Sequence, residues 1–185
     1  MDKYFIFVSD RKLDLFELEA LGHCYEDIYQ IRRFKDNVAY FLSPEEDQVK
    51  VSAYLRKQAY RIYCVLSPFA DEFIFDLAEN HLAFFPREVI HPSDILFKRI
   101  SFADFGFYPN FKDYFSHINP ELLETAGAYL RCGCNGLKAA DALCVHRNTF
   151  NYRLSAFITA SGLDIRDYHN ALLLEIFFQF SSRFH

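Results

Sequence analysis

Residues 144–154 read "CVHRNTFNYRL", two arginines, two asparagines, a histidine and a tyrosine within eleven positions. Phe150 and Leu154, with Phe157 just beyond, recur at i, i+4 and i+7, so the spacing predicts a helix that starts just after Val145 and turns these three side chains inward. The same phase turns Arg147, Asn148, Asn151 and Ser155 outward. Upstream, Gly133 and Gly136 bracket Asn135, a residue suited to cap a short helix with Leu137, Ala140 and Leu143 as its inward positions. Small residues at Ala139 and Ala140 let another helix cross closely.

Two short helices, a tight turn and a polar face at the start of the second make the helix-turn-helix plan, in which the second helix enters the major groove of duplex DNA. The residue types suit that task, since arginine can make a bidentate contact to guanine and asparagine to adenine. The chain as a whole is acidic, with a net charge of −5. Its distribution is uneven: residues 131–153 contain Arg131, Lys138, Arg147 and Arg153 against Asp141 alone. A basic face on an acidic body meets phosphate as a face, not as a whole chain.

Further helices flank this pair. Asn119-Pro120-Glu121 opens one with a cap, a proline at the first position and an acid in the first turn, followed by Leu122, Leu123, Ala126, Tyr129 and Leu130 at helical spacing. The last helix, Ala171 to Phe180, is apolar nearly all round, so a partner chain or the preceding region is expected to cover it, and a homodimer follows as the expectation.

Before residue 118 the pattern changes. Residues 3–9, 28–34, 37–42 and 59–66 are rich in β-branched and aromatic residues and read as strands, the second and third joined across Lys35-Asp36 as a hairpin. Ser43-Pro44-Glu45-Glu46 reads as a capping box opening a helix, and residues 69–84, with Phe73, Phe75, Leu77 and Leu82, as another. This predicts an α+β sheet with helices on one side over residues 1–117 and an all-α domain over 118–185. Residues 102–115 hold seven aromatics, read as packing between the two domains, with base stacking as the alternative.

Other chemistries find little support. Cys132, Cys134, Cys144 and His146 offer three thiols and an imidazole, but their single-residue gaps are tighter than zinc ligands usually show, so no metal is expected and buried turn residues are the alternative. His23-Cys24 is not read as a nucleophile and base, because sequence neighbours rarely face each other. No phosphate-cradling glycine motif occurs, and no catalytic residue or cofactor is assigned. With no signal peptide and no apolar run near the roughly 20 residues of a membrane span, a cytoplasmic protein with reduced thiols is expected.

From Leu122 onward the sequence resembles the C-terminal helix-turn-helix of the PucR/CdaR family, regulators of purine-catabolism and sugar-diacid genes. The resemblance rests on Asn135, Ala140, Leu143, "VHRNT" at 145–149, "YRL" at 152–154 and "GLD" at 162–164. It implies a DNA-binding regulator whose recognition helix begins at His146, with Lys138, His146, Arg147, Asn148, Thr149, Asn151, Tyr152 and Arg153 as the DNA-binding residues. The chain departs at Asn151, where the family commonly has a basic residue. More loosely, residues 63–85 and 101–111 resemble the degenerate GGDEF-like domain that precedes this module, a ferredoxin- or nucleotidyl-cyclase-like fold. Active cyclases carry paired glycines and acids in the hairpin turn; "RRFKDNVAY" has only Asp36, which implies no nucleotide chemistry. The family's long N-terminal sensory domain has no counterpart in these residues, which leaves the effector open. The rival reading is a protein-interaction module that keeps the helical fold without DNA binding.

Overall fold

The computed structural model describes residues 2–22, 31–79 and 81–182. His23, Cys24 and the first residues of the strand expected over 28–34 lie outside them. The chain forms two compact units, Met1–Ala103 and Asp104–His185.

The first unit is built on a five-stranded sheet in the order β2-β3-β1-β4-β5. β1 (Asp2–Ser9) lies between β3 (Val38–Pro44) and β4 (Ile62–Ser67), antiparallel to both. β2 (Arg32–Lys35) pairs with β3 through a turn at Asp36-Asn37, and α1 (Leu15–Gly22) and α2 (Gln48–Lys57) complete a βαββαβ order. This is the split βαβ arrangement of the ferredoxin-like fold. Register sets the core: Phe5 stands opposite Phe41 and Leu66, and Phe7 opposite Ala39 and Cys64. Because side chains alternate across a strand, these six share one face, where Leu18, Val51 and Leu55 of the two helices join them.

The opposite face is covered too, which corrects the expectation of helices on one side only. Tyr40 points the other way from Phe41 and packs on Phe75 of α3 (Glu72–Ala78), centroids 5.0 Å apart, while the Tyr63 hydroxyl donates to the Ala78 carbonyl. α3 is shorter than the stretch expected over 69–84. Asp71 caps it by accepting from the Ile74 amide at 3.0 Å, and Glu79 ends it in an extended conformation. A two-residue strand, β5 (Val89–Ile90), adds parallel to β4, and α4 (Pro92–Ser101) follows it. The capping box at Ser43 does not form. Ser43 and Pro44 finish β3, and the Ser43 hydroxyl donates instead to the buried Asp47 carboxylate at 2.5 Å.

The second unit has five helices: α5 (Tyr108–Ser116), α6 (Pro120–Arg131), α7 (Gly136–Ala142), α8 (Arg147–Ser161) and α9 (Tyr168–Ser181). The aromatic run belongs here, not to a boundary at 117. Phe115 packs on Phe177 at 4.3 Å, Phe111 on the same ring at 5.6 Å, and Phe107 on Phe180 at 5.4 Å. α5 therefore supplies much of the cover that the apolar α9 demands. α6 reaches α9 at Gly127, where an added Cβ would stand 3.2 Å from Phe178. No helix among the described residues is long and apolar enough to cross a membrane.

Candidate nucleic-acid interface

Both turns that frame α7 are built the same way. α6 stops with Gly133 and Cys134 in the left-handed region, φ +64° and +58°; the Gly133 amide donates to the Leu130 carbonyl and the Cys134 amide to Tyr129, each at 2.9 Å. α7 stops with Cys144 at φ +53°, the Cys144 amide donating to Asp141 and the Val145 amide to Ala140, each at 3.0 Å. These paired bonds satisfy carbonyls that the helix end leaves open. Glycine is the usual residue at such a position, so Cys134 and Cys144 hold it at a cost.

The helix starts are capped by side chains. Asn135 Oδ1 accepts from the Leu137 and Lys138 amides at 3.1 Å each. At α8 the cap is His146, whose Nδ1 accepts from the Asn148 amide at 3.2 Å. His146 therefore starts the helix, and Arg147 is its first residue.

Phe150, Leu154 and Phe157 are buried as their spacing predicted, and Phe150 packs on Tyr129 of α6, centroids 6.2 Å apart. Gly136 lets α7 approach: an added Cβ would stand 3.2 Å from the Phe150 ring. Arg147, Asn148, Thr149, Asn151, Tyr152 and Ser155 are exposed, as are Lys138 on α7 and His146. Arg147, Asn148 and Asn151 line a polar hollow of about 600 Å³ together with Asn135, Gly136 and Leu137 from the start of α7.

Three residues are not where the sequence placed them: Cys134 and Cys144, read as buried around the turns, are exposed, and Leu137 is too. Leu137, expected inward, is 64% exposed on the rim of that hollow. Arg153, one of the expected DNA-binding residues but, next to the core-facing Leu154, also a candidate for helix packing, is mostly covered and gives its guanidinium to Glu121 of α6 at 2.5 Å. It ties α8 to α6 and leaves Arg131, Lys138 and Arg147 as the outward cations of the segment. Nearby, the Asp164 carboxylate takes Arg166 in two bonds, 2.7 and 2.5 Å, which fixes the turn between α8 and α9 and raises the guanidinium pKa. Among the described residues no three His, Cys, Asp or Glu side chains gather as a metal-binding group, and Cys132, Cys134 and Cys144 are free thiols.

Residues 122–179 match the PucR C-terminal helix-turn-helix domain. The matched segment covers α6 from its first turn, α7, α8 and most of α9, and so takes in both turns around α7 and the exposed start of α8. "Uncharacterized protein YxkF" of Bacillus subtilis (strain 168) is 40% identical over 53 residues, 29% of this chain and 18% of that protein. The chain thus spans under a fifth of the length of this curated relative. Among solved structures, the Regulator of Polyketide Synthase Expression from Bifidobacterium adolescentis aligns over 100% of this chain and 81% of its own, with a TM-score of 0.48 and 18% identity.

Proposed function

We propose that this chain is a sequence-specific DNA-binding transcriptional regulator in which α8 enters the major groove. The observation that carries the reading is the exposed start of α8. Arg147, Asn148 and Asn151 are donors suited to base edges, and none of the three side chains bonds elsewhere among the described residues. His146 and Thr149 flank the entry of the helix, Tyr152 stands in the middle of its outward face at 74% exposure, and Lys138 serves a phosphate. Arg153 acts from behind, through Glu121.

The first unit we read as a degenerate, non-catalytic GGDEF-like domain. Its strand order supports that reading, and so does its hairpin turn, where Asp36 accepts from Arg33 at 3.3 Å and pairs with Lys12 at 3.5 Å. That turn carries a single carboxylate, Asp36, and no paired glycines. We also keep the homodimer, on the ground that paired readers lengthen a site and raise affinity.

The test is a gel shift of the purified chain against DNA upstream of its own gene at two salt concentrations. Binding is expected to weaken as salt rises, because each phosphate contact releases counterions. Absence of binding at low salt would favour the protein-interaction reading, and sedimentation as a monomer at tens of micromolar would remove the dimer.

A further inference from the structure

Leu137 has no place in the core and none in the reading so far. It is 64% exposed, yet it is not on a loose segment: its amide is held by the Asn135 cap at 3.1 Å, and the contact of Gly136 with Phe150 fixes the first turn of α7 against α8. Its side chain is the one aliphatic group around a hollow otherwise lined by the polar side chains of Asn135, Arg147, Asn148 and Asn151 beside Cys134. An apolar side chain set among amides and a guanidinium is poorly matched to an apolar protein patch, because docking there would strand those donors unpaired. It is well matched to a base edge that presents a methyl group next to hydrogen-bonding atoms. In the major groove only an A·T pair does so, with N7, N6 and O4 beside the thymine methyl.

We propose that Leu137 is a specificity-determining residue that contacts the 5-methyl group of a thymine beside the bases read by Asn148 and Asn151. This rests on the DNA-reading function proposed above. It assigns base discrimination to α7, a helix that otherwise meets only the DNA backbone in this plan. Each thymine methyl removed from Leu137 should weaken binding about fourfold, the factor that burying one methyl-sized group supplies.

The experiment selects a binding site from a random duplex pool with the full chain, then replaces each thymine in turn by deoxyuridine and measures affinity by fluorescence anisotropy. For the unmodified protein, one or two positions should lose about fourfold. Leu137→Ala should bind thymine and uracil alike at those positions, with melting unchanged, and Leu137→Met, which keeps an apolar reach, should retain the discrimination. If the methyl sensitivity of every thymine survives in folded Leu137→Ala, or if no thymine is methyl-sensitive, Leu137 does not read this group. Failure to enrich any duplex sinks the DNA-reading function itself and this inference with it, whereas enrichment without coupling to Leu137 sinks only the latter.

Discussion

The molecule carries two polar turns that use their charges in opposite ways. At the β2–β3 turn of the first unit the groups are spent on each other: Arg33 donates to the Asp36 carbonyl at 3.1 Å and to the Leu13 carbonyl at 2.9 Å, while its guanidinium and Lys12 share the Asp36 carboxylate. At the α7–α8 turn of the second unit the backbone is satisfied locally, by the paired bonds at Cys144 and Val145 and by the His146 cap, so Arg147, Asn148 and Asn151 are left to face outward. Binding capacity resides in the second turn. A side chain already satisfied inside the fold must break a bond to meet a ligand, and one left unpaired at a surface need not.

The outward turn depends most on the core behind α8. Phe150 is fully buried against Tyr129 and the start of α7, so Phe150→Ala should cost about 3 to 5 kcal/mol of stability. Urea denaturation should show the loss, and DNA binding should disappear with the fold. Full stability in this variant would mean that α8 is not anchored as described.

Next in size is the separation of outward from inward arginine. Arg147→Ala should leave melting unchanged and cost about 1 to 3 kcal/mol in DNA affinity, with relaxed sequence preference, as for one lost bidentate base contact. Arg153→Ala should do the reverse. Removing its bond to Glu121 and the packing of its stem should lower stability by about 1 kcal/mol, seen as a drop in melting temperature. Equal effects of the two on affinity at unchanged stability would erase the distinction between them.

How much of this was legible follows from what each pattern can encode. The phase of α8 was legible because Phe150, Leu154 and Phe157 span two turns with large side chains, and Asn119 and Asn135 announced their helices by cap chemistry that is local. Leu137 misled because α7 has only seven residues. The series Leu137, Ala140, Leu143 fits helical spacing, but the contact is made by the small Ala139 and Ala140, which hydrophobicity ranks low and close approach ranks high. The extent of the second unit was hidden for a different reason. Composition shows that residues 102–115 are aromatic, but only tertiary packing shows that Phe107, Phe111 and Phe115 are taken by α9. The capping box at Ser43 failed because β3 runs on through Pro44, so strand pairing overrode a local signal.

Cys144→Gly tests the backbone of the outward turn. Cys144 is exposed and holds φ +53°, so glycine removes a steric cost without emptying a packed site. A gain of about 1 kcal/mol is expected, seen as a higher melting temperature with DNA affinity preserved. A loss of stability would mean that the thiol makes a contact worth more than the strain.

The smallest effect belongs to the inward turn. Asp36→Ala removes a carboxylate that is 73% exposed and whose partners Lys12 and Arg33 meet it across solvent. Exposed pairs of this kind contribute about 0.2 to 1 kcal/mol and are screened by salt. Arg33 keeps its bonds to the Asp36 and Leu13 carbonyls in the variant, since both acceptors are backbone atoms, so the hairpin should persist. The expected outcome is a loss of about 0.5 kcal/mol at low ionic strength that shrinks as salt is added, with DNA affinity unchanged throughout. A fall in DNA affinity on Asp36→Ala at unchanged stability would show that the two turns are coupled, and the division between a turn that holds the fold and a turn that reads a ligand would have to be abandoned.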